Sequence, residues 1–240
     1  PLLPRGWGGG VGLALLLRRG LLSRTGLERG RLGLISRIGM PVAASGAVFS
    51  LVYILLTRFT SEFGTSALAA LGVGHKVESL SYMACVGFGA AAATGVGQNL
   101  GAGQPRRARR SGKSAAGFAV LVTGLVGAAF LAWPESIMSV FTGDPAVIRD
   151  GASYLRIVAA AQVFMALHLV LESAMSGAGY TFLPMTASMV LTVSRLPLAA
   201  GLAGVLGLAG IWWTISGTTV ARGAVLAWIW RRGRWQERSV

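Results

Sequence analysis

The chain has 240 residues, of which 53% are apolar and only 12% are charged, and its mean hydropathy is +0.63. This composition excludes an ordinary soluble domain and favours a protein that lies in a membrane. The formal net charge of +14 does not predict nucleic-acid binding. Most of the basic residues cluster at three places between apolar segments, whereas a nucleic-acid surface interleaves them with aromatics on a soluble scaffold.

Residues 1–37 hold a short apolar stretch at 7–17 and a series of arginines. A helix needs roughly 20 apolar residues to cross the hydrocarbon, so this stretch is too short to cross alone. We interpret it as the end of a preceding span, followed by a basic cytoplasmic linker. On this interpretation the chain is the carboxyl-terminal part of a longer protein.

Residues 38–230 contain six apolar segments that are each long enough to cross a membrane. Basic residues dominate the regions before the first segment, after the second and after the last, whereas acids lie in the intervening loops. Cytoplasmic loops concentrate Lys and Arg, so the carboxyl terminus is predicted to be cytoplasmic. The sequence predicts an all-α, multi-pass helix bundle in the cell membrane, with a basic cytoplasmic tail at 231–240. The predicted spans cover about 38–58, 66–97, 113–133, 151–177, 182–203 and 206–230.

Glycine and proline predict local features of this bundle. Runs of Gly and Ala at 87–95 and 117–129 allow helix backbones to approach closely. Pro197 lies inside the fifth span and predicts a kink there. Between the second and third spans we expect a short basic hinge, because glycine permits turns that other residues resist. The expected loop residues are Gly97, Gln98, Asn99, Gly101 and Gly103.

Ionisable residues within a span are costly, so each one is a candidate functional residue. His75 and Glu78 are spaced i, i+3 in the second span, and His168 and Glu172 are spaced i, i+4 in the fourth. Each pair lies on one helix face and could bind a cation or release a proton. The alternative is a structural hydrogen bond between helices. Lys76 points away from this face and is a structural or charge-pair candidate for a partner on another helix.

Three other residues are expected to be structural. Arg195 approaches the outer interface in the fifth span, where its side chain could reach water or meet an acid. Arg222 is expected nearer a span end, and the lone Cys85 reads as a small buried apolar residue. The sequence offers no catalytic constellation, metal-ligand spacing or nucleotide motif. A transporter driven by an ion gradient is therefore favoured over an enzyme, with no cofactor.

The longest motif covers residues 67–80, ALAALGVGHKVESL, and continues to VGQNLGAG at 96–103. Supporting motifs are IGMP at 38–41, SGAGYT at 176–181 and GIWW at 210–213. In order and spacing these segments resemble the carboxyl-terminal half of multidrug and toxic compound extrusion (MATE) transporters. The resemblance covers about residues 10–235.

The resemblance implies twelve spans in two six-helix lobes, of which this chain would supply one and an amino-terminal lobe the other. It implies export of small cationic or amphipathic compounds in antiport with H⁺ or Na⁺, and the histidines favour H⁺. Where some members carry a glutamate in the seventh span, this chain has Phe49 and Ser50, and near the family's tenth-span aspartate it has Met165. Glu78 thus becomes the first coupling candidate and Glu172 the second.

Candidates for the cavity wall are Phe49, Tyr53, Tyr82 and Met165. Two alternatives to multidrug export are kept. One is a flippase for lipid-linked sugars from the same superfamily, which would be expected to show more cationic residues in its cavity. The other is a truncated lobe without transport activity.

Overall fold

The computed structural model describes residues 46–237. Within that range the chain is helical and contains no strand, so the predicted all-α class is confirmed for this part of the protein. The preceding span and linker predicted at 1–37 lie outside the described residues. So do the first residues of the first predicted span and the last three of the tail.

Nine α-helices follow one another along the described range, and a 3-10 helix at Arg234–Glu237 comes after them. Prolines occupy the first turns of the helices that begin at residues 105, 134 and 145, where a missing N–H costs little. Asp144 caps the last of these helices by accepting a hydrogen bond of 2.8 Å from the Ala146 N–H. The helices are α1 Gly46–Ser61, α2 Thr65–Gly101, α3 Pro105–Ala132, α4 Pro134–Ser139, α5 Pro145–Ala159, α6 Ala161–Gly177, α7 Phe182–Val193, α8 Arg195–Leu206 and α9 Leu208–Arg232.

The membrane-spanning helices correspond only roughly to the six predicted spans. Within residues 46–237, three helical stretches are long and apolar enough to cross a membrane, namely α2, α3 and the joined α7 and α8. The pair α5 and α6 would make a fourth, bent by 58°. The described part of α1 is shorter, and α9 spans 25 residues but is less hydropathic over a membrane-length window than those three stretches. Large apolar side chains such as Leu80 and Leu125 lie exposed on the bundle, as lipid contact requires.

Two predicted spans are interrupted in their middle. The fourth breaks at Ala160, where the Ile157 carbonyl accepts a hydrogen bond of 2.9 Å from Ser216 Oγ on α9. A side chain therefore satisfies a carbonyl near the end of α5. The fifth breaks at Ser194, three residues before Pro197. Pro197 has no N–H for the Val193 carbonyl, which explains why the break predicted at this proline falls one turn earlier.

The predicted hinge between the second and third spans is much shorter in the structure. Residues Gly97 to Gly101 are the last turn of α2 instead of a loop, and only residues 102–104 separate it from α3. Of the predicted loop glycines, Gly103 alone has a positive φ, at 67°. The remaining residues stay helical because α2 packs closely against α6 there.

Small residues do bring the helices together. A Cβ on Gly97 of α2 would lie 2.9 Å from the Gly177 carbonyl oxygen of α6, and one on Gly223 of α9 would lie 2.6 Å from the Phe164 carbonyl oxygen. Two apolar clusters form the core. The first cluster includes Leu71, Tyr154, Ile211 and Trp212, and the second includes Cys85, Val96, Met175, Leu226 and Trp230. Cys85 is fully buried, as expected of a small apolar residue.

The basic tail does not leave the bundle at once. After the left-handed Gly233, the chain turns back in a 3-10 helix and Trp235 becomes fully buried. Its ring stacks on Trp230 with centroids 4.1 Å apart, and its Nε1 donates a hydrogen bond to the Trp230 carbonyl. The described part of the tail therefore belongs to the second cluster.

Candidate functional site

A cavity of about 450 Å³ lies in the middle of the bundle. Its wall draws on α1, α2 and α5 to α9, at the level where these helices pass between the two apolar clusters. On α9, Ile211 belongs to the first cluster, Ser216 and Thr219 line the cavity, and Leu226 belongs to the second. The site is thus a gap between two packed layers.

The structure brings all four predicted coupling residues to this cavity. His75 and Glu78 reach it from α2, and His168 and Glu172 from α6. Within residues 46–237, however, no hydrogen bond joins either histidine to the carboxylate on its own helix. His75 Nε2 and His168 Nδ1 are buried and have no partner in the described part of the chain. Nor do three potential ligands among His, Cys, Asp and Glu gather there as a metal site would need.

Glu78 is held by residues that the sequence analysis did not single out. Tyr154 Oη on α5 donates to Glu78 Oε2, and Gln162 Nε2 on α6 donates to Glu78 Oε1 at 2.7 Å. Ser81 Oγ lies 2.9 Å from Gln162 Oε1 and orients that amide by donating to it. Glu78 is therefore tied to both halves of the broken fourth span by neutral donors. Gln162 could have been found from the sequence, because it is a polar residue within an apolar segment, whereas nothing in the sequence singles out Tyr154.

Glu172 has a different environment. Ser188 Oγ on α7 donates to its Oε2 at 2.8 Å, and Arg222 Nη2 on α9 lies 3.5 Å from the same oxygen. Arg222 lines the cavity, although it was expected nearer a span end. It stands in the middle of α9, because that helix runs on to Arg232. The charge of Glu172 thus has a fixed cationic neighbour, and that of Glu78 has none among the described ion pairs.

Arg195 also lies in the cavity wall instead of at the outer interface. The fifth span continues to Leu206 as α8, which puts Arg195 near its centre. Its Nε donates to Thr218 Oγ1 at 2.8 Å and its Nη2 donates to Thr219 Oγ1 at 2.9 Å. The sequence analysis misplaced Arg195 because the depth of a residue in the membrane depends on where its helix ends.

The apolar candidates divide between the wall and the layer behind it. Phe49, Tyr82 and Met165 line the cavity. Tyr53 instead packs behind the wall, with its ring centroid 4.8 Å from that of His75. Lys76 is exposed and forms no ion pair with another residue in 46–237. The loop-motif residues Gly97 to Gly103 lie at the end of α2 and do not contribute to the cavity.

Comparison with known proteins decides the family. The family model described as MatE matches residues 41–200, which is most of the chain. The chain belongs to the MatE family. The predicted resemblance is thereby confirmed, and with it the assignment to a family of transporters and not of enzymes.

This MatE chain is similar to curated proteins from bacteria. It is 31% identical over 210 residues to the probable multidrug resistance protein NorM of Pseudomonas aeruginosa, covering 83% of this chain and 43% of that protein. For the probable NorM of Thermotoga maritima the identity is 28%, with 86% and 45% covered. The chain thus spans about half the length of the curated relatives it matches.

The fold of the MatE chain is also that of solved transporters. It superposes on the eukaryotic MATE transporter AtDTX14 with a TM-score of 0.80 at 21% identity, covering 96% of this chain and 56% of that one. A crystal structure of MATE in the straight conformation gives a TM-score of 0.77 at 20% identity, with 95% and 54% covered. The helix bundle around the cavity therefore has the fold of these solved structures.

Proposed function

We propose that this MatE chain is one lobe of a secondary transporter that exports cationic or amphipathic compounds in exchange for inward H⁺ or Na⁺. The names of the curated relatives support multidrug export. The transporter would reside in the plasma or inner membrane with a cytoplasmic carboxyl terminus. A second six-helix lobe would close the pathway, and the two would rock between outward-facing and inward-facing states.

The single observation that carries the proposal is Glu78 in the wall of a mid-bundle cavity, held by two neutral donors and without an ion-pair partner within 4.0 Å among residues 46–237. Burial penalises the charge of a carboxylate at this depth, so such a residue is a candidate for a functional role. An inward-moving H⁺ or Na⁺ would neutralise that charge. Glu172 is the second candidate, since its charge is already balanced in part by Arg222.

Cation binding at Glu78 offers a physical route to a conformational change. The ionised carboxylate accepts from Tyr154 on α5 and Gln162 on α6, which flank the break at Ala160. Protonation turns one carboxyl oxygen from an acceptor into a donor, so one of these two bonds must reorganise. The angle between α5 and α6 would respond, because Glu78 links both helices to α2.

The cavity suits small amphipathic ligands. Its volume of about 450 Å³ lies in the range of ligand-binding pockets. Apolar side chains such as Phe49, Met165 and Leu169 share the wall with a small number of polar groups. Such a wall binds molecules by shape and apolar contact, which allows many substrates and specifies none closely.

The test is ethidium efflux from drug-sensitive cells that express the gene encoding this chain, under an imposed pH or Na⁺ gradient. We expect Glu78→Gln to abolish the dependence on the gradient while the protein still reaches the membrane. Glutamine keeps the volume and resembles the protonated acid, with one acceptor oxygen and one donor group, but it cannot bind or release a proton at neutral pH. The gradient that drives the wild type identifies the coupling ion.

Glu62→Gln is the matched control, because Glu62 lies exposed between α1 and α2 and outside the cavity. Normal coupling in Glu78→Gln would make Glu78 structural and move the coupling site to Glu172 or to the other lobe. Absence of efflux even in the wild type would contradict multidrug export and favour the lipid-linked sugar flippase or a lobe without transport activity.

A further inference from the structure

Arg195 holds a guanidinium in the cavity wall, where the Glu78 carboxylate acts on its charge but does not pair with it directly. It forms no ion pair within 4.0 Å with any residue between 46 and 237. It stands 13 residues along the helix from Phe182, which is about 20 Å at 1.5 Å per residue and close to the middle of the span. A cation at such depth is costly unless an anion is supplied to it.

The guanidinium is fixed in place by two threonines. Thr218 and Thr219 accept from Arg195 Nε and Nη2. Their own hydroxyl protons are directed to carbonyls of α9, those of Thr214 and Ile215, at 2.7 and 2.8 Å. An arginine side chain has five N–H donors, so these two bonds leave the others available. The threonines therefore orient Arg195 without neutralising it.

Two neighbouring groups in the same wall also have unused polar atoms. His168 is only 6% exposed, and its Nδ1 has no hydrogen-bond partner in the described chain. Arg222 likewise has a buried Nε without a partner, while its Nη2 lies at 3.5 Å from Glu172. Buried polar atoms are normally satisfied, so the described chain leaves hydrogen-bonding capacity of both side chains unused beside the cavity.

We propose that Arg195, Arg222 and His168 form an anion subsite that takes the carboxylate or sulfonate group of an amphipathic substrate. This inference rests on the proposed export function and adds to it a preference for compounds that carry an acidic group. Glu78, which forms no direct ion pair within residues 46–237, is then available for an amine of the same molecule. Zwitterionic amphiphiles fit this division of charge best.

A substrate supplies the anion more readily than a lipid headgroup does. Headgroup phosphates lie at the membrane surface, whereas Arg195 is near mid-span, roughly half the thickness of the hydrocarbon away from it. The subsite is also bordered by Met165 and Leu169, which suit the apolar body of a ligand. When the apolar part of an amphiphile binds in the cavity, its carboxylate is brought to the depth of Arg195.

The test uses a matched acid and ester. Rhodamine 19 carries a free carboxylate, and rhodamine 6G is its ethyl ester. The Kd of each dye is measured by fluorescence anisotropy with the full product of the gene that encodes this chain, in phosphatidylcholine nanodiscs, after subtraction of binding to empty discs. We expect Arg195→Gln to weaken binding of the acid relative to the ester by about tenfold, as loss of a charged hydrogen bond predicts. Arg195→Lys should keep part of the preference.

Arg149→Gln is the control, because Arg149 is 79% exposed and lies outside the cavity. An unchanged acid-to-ester ratio in a folded Arg195→Gln, with a melting temperature like that of the control, overturns the subsite. If the wild type binds the ester and not the acid, the subsite is wrong while multidrug binding stands. If it binds neither dye, both proposals are wrong. Loss of the acid preference when phosphatidylglycerol is added would assign the anion to lipid and overturn the substrate carboxylate.

Discussion

At the scale of single residues, the site consists of two carboxylates in different environments. Glu78 accepts from the neutral donors Tyr154 and Gln162, whereas Glu172 has Arg222 beside it. A glutamate thus has only neutral hydrogen-bond donors at position 78 and a direct cationic partner at position 172. Tyr154 is the residue whose contribution to this difference is easiest to isolate, since its ring also packs over Gly74.

We expect Tyr154→Phe to lower the free energy of unfolding by about 1–3 kcal/mol and to weaken gradient-driven efflux without abolishing it. Phenylalanine fills the same space beside Gly74 but removes one of the two donors to Glu78. Thermal unfolding in detergent measures the first effect. Tyr82→Phe is the stability control, because Tyr82 is 41% exposed. Equal stability of the two variants would show that the bond from Tyr154 contributes nothing.

At the scale of helices, small residues and breaks place the cavity. Gly97 and Gly177 let α2 and α6 approach to backbone contact in the second cluster. The breaks at Ala160 and Ser194 release carbonyl groups and redirect the helices around the gap between the clusters. The helices pack closely in the second cluster and are interrupted beside the gap between the clusters. The bundle can therefore hold a ligand-sized cavity and still remain closely packed elsewhere.

We expect Gly97→Ala to destabilise the protein by about 1–3 kcal/mol, because its new methyl group would lie against the Gly177 carbonyl. Gly87→Ala in the same helix is the control. No atom lies within 4 Å of the corresponding Cβ position, so a gain of up to about 1 kcal/mol from helix propensity is expected instead. Thermal unfolding of both variants in one detergent decides the matter. Similar melting temperatures would contradict the close approach.

At the scale of the whole molecule, charge sets the predicted orientation. Arginines lie at the start of α3 and from residue 231 onward at the end of α9, while Glu135 and Asp144 lie at the opposite ends of the helices. The positive-inside rule predicts that the turn between α2 and α3 is cytoplasmic and that the loop between α4 and α5 is external. Because Cys85 is the one cysteine of the sequence and is buried, this arrangement can be tested by labelling.

We expect a membrane-impermeant maleimide added to intact cells to label Gly143→Cys and not Ala102→Cys. Both positions are exposed, the first between α4 and α5 and the second between α2 and α3. After lysis both should react, which controls for accessibility, and the unmodified chain should stay unlabelled. Labelling of Ala102→Cys in intact cells would reverse the orientation.

The sequence by itself determined the helical class, the membrane environment and the family. These follow from composition, the length of apolar runs and a contiguous motif, all of which are local along the chain. It also pointed to Glu78, because a charge within a span is conspicuous wherever its neighbours lie. Only the tertiary structure decided which residues meet: Tyr154 and Gln162 at Glu78, and Arg195 and Arg222 at one cavity. These contacts join side chains on different helices and depend on where each helix breaks or ends, which local pattern does not specify.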